Sequence, residues 1–216
     1  MSTNERILSP FTLPNGTELK NRLLMAPMTT CTGYYDGTVS SELVEYYRAR
    51  AGSIGTIIVE CCFVDDLGLA FPGAIGIDND EKIAGLAKIA DAIKSKGSKA
   101  LLQIYHGGRM VDPKLIGGRT PVGPSAVAAP RDGAATPVAL TSEEVEGMIG
   151  KFGEAVRRAI QAGFDGVEIH GANTYLIQQF YSPNSNQRDD EWGGSRDNRA
   201  KFPLAVLDIT HKMVRQ

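Results

Sequence analysis

His170, Asn173 and Tyr175 lie close together in the chain and are residue types that can donate hydrogen bonds and a proton to one bound group. Two donors held on one rim and aimed at one point can bind a carbonyl oxygen and stabilise negative charge that develops on it. A phenol has an ordinary pKa near ~10, so Tyr175 is protonated at neutral pH and can hand a proton to a carbanion or enolate. Gln103, among Leu101, Leu102 and Ile104, is a fourth candidate. A carboxamide buried there carries both a donor and an acceptor and needs partners for each. Plainer readings stay open: a satisfied core histidine beside a turn asparagine, an aromatic packed under a loop, and a glutamine bonded to loop backbone.

The positioning elements follow from periodicity. Asp165–His170 alternates, with Val167 and Ile169 on one face and Glu168 and His170 on the other. An acid and an imidazole along one face of a strand expected to be buried suit the inner wall of a (β/α) barrel near its C-terminal rim. Asn15-Gly16 predicts a tight turn between two short extended pieces within Phe11–Lys20. Leu23–Ala26 reads as a first strand stopped by Pro27, Ile54–Glu60 as a second and Lys99–Ile104 as a third. Helices are expected over Ser41–Ala51, over Glu81–Lys96 with Gly97 as its stop, and from about Arg199 to the C-terminus.

The clearest helix begins at the capping box of Thr141 and Glu144 and ends at Gly163. Its apolar stripe is Val145, Met148, Ile149, Phe152, Val156, Ala159 and Ile160. Strands alternating with helices predict parallel βαβ units. The long connection Tyr105–Leu140 follows the C-terminal end of a strand, so it is expected over the site. One domain, 1–216, is the simplest organisation. A complete eight-stranded barrel takes about 250 residues, and only four strands are legible.

With 216 residues, 42% of them hydrophobic, the chain can bury a substantial core. A net charge of −2 with dispersed basic residues argues against nucleic acid as a partner. No apolar run is long enough to span a bilayer. The N-terminal MSTNERILSP lacks a signal-peptide pattern, so a soluble cytoplasmic protein is expected. The three cysteines, Cys31, Cys61 and Cys62, make neither a disulfide framework nor a zinc site. Cys61 and Cys62 are expected just past the second strand, in rim packing.

Several motifs closely resemble the old yellow enzyme family of FMN-dependent ene-reductases and NADH:flavin oxidoreductases. They are Leu24-Met25-Ala26-Pro27-Met28-Thr29, Gln103, His106-Gly107-Gly108-Arg109, His170-x-x-Asn173 with Tyr175, and SPNSNQRDDEWGGSxxNR over Ser182–Arg199. The resemblance runs from about Ile7 to Lys212. It implies a TIM-barrel fold, α/β, of which this chain covers roughly the first four βα units plus an N-terminal hairpin.

The same resemblance implies FMN as cofactor and NADH or NADPH as hydride donor. It also implies a small-molecule substrate with an activated C=C bond, an α,β-unsaturated carbonyl or nitro compound. Ala26, Pro27, Met28, Thr29, Cys61, Gln103 and His170 would contact the flavin. His170 and Asn173 would grip the substrate oxygen, and Tyr175 would protonate the carbon beside the activating group. Relatives carry Ala or Gly where this chain has Cys61. Tyr34, Tyr35 and Tyr105 face substrate only by resemblance. Arg109, Trp192, Gly193, Gly194, Asn198 and Arg199 are expected to be structural, and Arg188 with Asp189 and Asp190 to form a loop ion-pair set.

The loops after strands seven and eight, where such barrels hold the cofactor phosphate, fall outside this chain. Three readings follow. The chain is the N-terminal part of a longer flavin reductase; it is a half-barrel closed by another copy, as a homo-oligomer, or by a second chain; or it is a non-catalytic module that binds a small molecule or partner.

Overall fold

The computed structural model describes residues 3–215; Met1, Ser2 and Gln216 of the expected single domain lie outside them. A short helix not anticipated from sequence, α1 (Thr3–Leu8), precedes the antiparallel hairpin of β1 (Phe11–Thr12) and β2 (Glu18–Leu19). The turn forms as expected. Gly16 takes φ 85°, and the Asn15 side chain accepts the Thr17 N–H at 3.1 Å.

Next come β3 (Leu24–Met25), α2 (Ser41–Arg50), β4 (Thr56–Phe63), α3 (Ile83–Lys94) and β5 (Lys99–Tyr105). A small parallel pair, β6 (Val122–Gly123) and β7 (Val138–Ala139), leads into α4 (Ser142–Gln161). The chain closes with β8 (Gly166–Ile169), α5 (Leu176–Tyr181) and α6 (Arg196–Val214).

The main sheet is parallel, in the order β3-β4-β5-β8. Sequential strands are neighbours joined through helices, the arrangement expected of successive βα units. All eight residues of β4 are buried. Leu102 and Ile104 of β5 face the helices with Val145, Phe152 and Val156 of α4 and Leu86 and Ile93 of α3. Between α4 and the end of the chain, Phe180 stacks on Phe202 with centroids 4.2 Å apart, and Phe152 meets Phe202 edge-on at 6.4 Å. All three rings are fully buried. Replacing Phe202 by Ala is therefore expected to cost about 3–5 kcal/mol, measured by denaturant unfolding of the protein.

Several boundaries differ from the sequence expectations. β4 continues to Phe63, so Cys61 and Cys62 lie inside the strand. β8 stops at Ile169, with His170 just beyond it, and its four residues are only half-buried because it is an edge strand. Ile160, expected in the apolar stripe of α4, is 47% exposed. The caps agree better. Ser40 caps α2, and Thr141 and Glu144 form the reciprocal box on α4. The last helix starts at Arg196 on the Ser195 cap. The Tyr105–Leu140 connection holds two 3₁₀ turns (Gly108–Met110 and Pro113–Ile116) and the β6–β7 pair. Among the described residues no helix is long and apolar enough to cross a membrane.

The outer edges of β3 and β8 have no strand partner among the described residues. Beside β8, Ile169, Ile177, Tyr181, Pro203 and Leu207 line an apolar cleft. Leu204 and Leu207 of α6 are half-exposed.

Candidate active site

Parallel pairing brings the C-terminal strand ends to one rim. Register sets Gln103 beside Glu168 and Ile104 beside Ile169. Ile104 goes to the helix-facing core, so period two sends Gln103 and Tyr105 to the opposite, inner face. Gln103 is 8% exposed, and its Nε2 donates to Glu168 Oε1 at 2.6 Å. The partner that a buried carboxamide needs is thus the acid of the next strand.

His170 is pinned at the end of β8 by its N–H donating to Ile104 O at 3.1 Å. Its Nδ1 accepts the Ala172 N–H at 3.3 Å. That bond leaves the ring proton on Nε2, which makes Nε2 a donor. Burial holds the imidazole pKa below its ordinary value, against the opposing charge of Glu168. The chain then bends through Asn173 (φ 53°) and Thr174 (φ 62°), both left-handed. This is tolerable for Asn but strained for a β-branched residue. Asn173 sits exposed on the rim.

Tyr175 follows the bend, half-buried, with its ring edge-on to His170 at 4.9 Å and to Tyr105 at 5.3 Å. Burial, with Cys61 nearby, pushes its phenol up to about 12. The phenol therefore keeps its proton at neutral pH. Tyr105 is fully buried and accepts the Ala70 N–H at 3.2 Å, so it braces the site from beneath. Tyr34 and Tyr35 are exposed.

The turn after β3 carries Ala26, Pro27, Met28 and Thr29. Ala26 and Met28 are exposed, and Pro27 and Thr29 are half-buried. Thr29 Oγ1 lies 3.2 Å from Cys61 Sγ. Cys61 is buried in a second apolar cluster with Phe63 and Tyr105, against which Phe71 and Tyr175 pack. Burial pushes its thiol up to about 11. The structure thus gathers Thr29, Cys61, Gln103, His170 and Tyr175 at one end of the sheet, with Asn173 on the bend between the last two.

Two residues of this region were missed in the sequence. Glu60, the last residue of an apolar strand pattern, is fully buried. Gln179, in LIQQFY, is 1% exposed. Gln179 donates to Gly107 O at 3.1 Å and Thr174 O at 2.6 Å, and it accepts the Arg109 N–H at 3.1 Å. It ties the loop after β5 to the strained bend. Gly108 (φ 58°) packs so tightly on its carboxamide that a Cβ would collide with it. A buried glutamine inside an apolar helical run was the available signal for Gln179, and an acid ending an apolar strand was the signal for Glu60.

Arg188 does more than pair with its neighbours. It is 9% exposed and donates to Pro124 O at 3.0 Å, to Leu140 O, and to Asp190 Oδ1 at 2.9 Å. Its guanidinium holds the Asp190 carboxyl down at about 2.

His106 is buried completely, and its Nδ1 accepts the Gly108 N–H at 3.0 Å. Burial drives its pKa from 6.5 to about 3. The unfolded chain takes up a proton near 6.5 and the folded chain does not. The stabilisation is therefore complete above pH 6.5 and lost as pH falls toward 3. Denaturant midpoints of the protein should decline below pH 6.5. His106→Gln should flatten that slope at pH values above the ordinary carboxylate range of about 4.

Comparison with known proteins adds to this geometry. The profile of the NADH:flavin oxidoreductase / NADH oxidase family matches residues 6–216. An NADH:fumarate oxidoreductase of Klebsiella pneumoniae (strain 342) is 88% identical over 216 residues, which are 100% of this chain and 23% of that protein. An NADH:acrylate oxidoreductase of Vibrio harveyi is 57% identical over 211 residues, 98% of this chain and 21% of that protein. Among solved structures, the old yellow enzyme homologue of Zymomonas mobilis superposes with a TM-score of 0.89 at 33% identity. That match covers 96% of this chain and 60% of that one. The chain spans less than a quarter of those two curated relatives. Four parallel βα units covering about 60% of a barrel relative make it an α/β partial barrel. From its strand order, its rim and this match along nearly its whole length, the chain belongs to the NADH:flavin oxidoreductase / NADH oxidase family.

Proposed function

We propose that residues 1–216 are the N-terminal portion of an FMN-binding barrel in an oxidoreductase that uses NADH or NADPH to reduce an activated C=C bond. The observation that carries this is the pairing of a neutral His170, with its proton on Nε2, and a protonated Tyr175 edge-on at 4.9 Å. The donor set on the same rim fits a flavin. It comprises the Gln103 carboxamide, the Thr29 hydroxyl and the backbone of the turn Ala26–Thr29. Bound there, FMN would supply hydride transfer between the nicotinamide and the alkene.

The chain's own residues do the rest. His170 Nε2–H and the Asn173 amide donate to the carbonyl or nitro oxygen and stabilise charge that builds on it. Tyr175 holds a proton at its phenol oxygen for the carbon beside the activating group. The apolar cleft beside β8 and the open edges of β3 and β8 are the surfaces on which the remaining barrel strands would pack. Fumarate and acrylate, from the relatives' names, are α,β-unsaturated acids and are the substrates to try first.

A second reading is favoured by length. This chain is 23% and 21% of the two relatives named for those acids. On this reading the site takes hydride from NADH, and the double bond is reduced elsewhere in the longer protein. The experiment that tests the flavin site common to both readings takes the full-length protein, reconstitutes it with FMN, desalts it, and records the visible spectrum before and after anaerobic NADH and NADPH. A retained flavin band bleached by one of them is expected. A protein that holds no flavin after reconstitution would refute the proposal.

A further inference from the structure

In a regular strand, consecutive side chains leave opposite faces. β4 breaks this rule at one place. Its pairing with β5 runs through Val59↔Leu102 and resumes at Cys62↔Ile104. Glu60 and Cys61 therefore share the single step opposite Gln103, which is a β-bulge. Both side chains then reach the turn after β3. Glu60 Oε2 accepts the Thr30 N–H at 3.3 Å and the Thr30 hydroxyl at 2.9 Å. Cys61 Sγ lies 3.2 Å from Thr29 Oγ1. Two successive residues of the strand hold two successive residues of the turn, which an unbulged strand could not do.

The grip is anchored from the helix side. Tyr47 of α2, fully buried, accepts the Glu60 N–H at 2.8 Å and donates its hydroxyl to Glu60 Oε2 at 3.3 Å. Glu60 is 0% exposed, and its Oε1 has no hydrogen-bond partner among the described residues. A buried carboxyl without a partner cation is costly, and three donors on one oxygen offset part of that cost. Cys31, which follows the gripped residues, sits at φ 58°, so the turn is bent tightly where the grip ends.

We propose that the bulge at Glu60 and Cys61 is a positioning device: it sets where Thr29 and the backbone after β3 present themselves to the cofactor. Glu60 and Cys61 are positioning residues, and Tyr47 is their support. The inference rests on the flavin reading of that turn, so its test includes a readout that needs no flavin.

The experiment uses full-length protein with Cys61→Ala, Cys61→Ser, Glu60→Ala and Glu60→Gln. In the flavin-free protein, hydrogen–deuterium exchange of the peptide spanning residues 27–33 should quicken about tenfold in Glu60→Ala, which frees the Thr30 N–H, and by a smaller factor in Cys61→Ala, which frees only the Thr29 side chain. Cys61→Ser should return exchange to wild type. With FMN bound, the flavin absorption maximum and midpoint potential should shift in Cys61→Ala and return in Cys61→Ser. Glu60→Ala should weaken FMN retention by about tenfold or more, while Glu60→Gln, which keeps the acceptor oxygen, stays near wild type. Wild-type exchange and a wild-type flavin spectrum in Cys61→Ala would overturn the proposal, whether or not Glu60→Ala folds. If the wild-type protein binds no FMN, the flavin reading fails, and the exchange data alone decide whether the grip exists.

Discussion

Tyr175→Phe in the full-length, FMN-loaded protein should slow reduction of an activated alkene by about 10²–10⁴-fold. Bleaching of the flavin band by NADH should remain at the wild-type rate. The ring makes three edge contacts, with His170 at 4.9 Å, Tyr105 at 5.3 Å and Phe71 at 6.3 Å, and phenylalanine keeps all of them. The substitution therefore removes a proton and little else. With the phenol held at about 12, the wild-type donor stays loaded across pH 6–9, so its rate should show no tyrosine titration in that range. Stopped-flow reoxidation by an enone and by fumarate reads both halves separately. If Tyr175→Phe reduces the enone at the wild-type rate, the tyrosine is not the acid. If enone reduction collapses and fumarate reduction persists, the acid substrate is handled elsewhere in the longer protein.

His170→Ala should lower the turnover of the same alkene by about 10²–10³-fold, the usual loss for one oxyanion donor. The effect should appear mainly in kcat, because the hydrogen bond strengthens as charge builds on the substrate oxygen. The His170 pKa lies below its ordinary value, so the neutral ring persists through neutral pH and protonates only on further acidification. Because Nδ1 is engaged with Ala172 N–H, Nε2 carries the proton in the neutral ring. The wild-type rate should therefore be flat from about pH 6.5 upward. His170→Asn, which keeps an N–H near that position, should recover part of the loss. An alanine variant with unchanged kcat would remove His170 from the chemistry. Circular dichroism of both variants guards against loss of the β8 edge, since the strand is held partly by the His170 backbone bond to Ile104.

The candidate site residues were legible because their motifs are local. His170, Asn173 and Tyr175 sit together in sequence, and the bend that presents them is a few residues long. Helix α4 was legible for the same reason: its stripe repeats every three or four residues, and its cap closes between Thr141 and Glu144. The order of the strands also followed, because parallel βα units connect neighbours in one hand. The number of legible strands already indicated a partial barrel.

What escaped the sequence depends on partners far along the chain. That Cys61 lies inside a strand, and that Glu60 and Cys61 share one step, is decided by pairing with residues about forty positions later. The grip on Thr29 and Thr30 closes across about thirty. Gln179 is committed to Gly107 and Arg109, seventy or more residues away. The tautomer of His170 depends on which backbone amide reaches Nδ1. The half-buried state of β8 follows from its place at the sheet edge. Periodicity and capping are short-range preferences of the backbone, and so the sequence alone determined the elements, their order and the residue types at the rim. Register, burial and protonation are set when distant strands meet and water is excluded between them, and only the tertiary structure decided those.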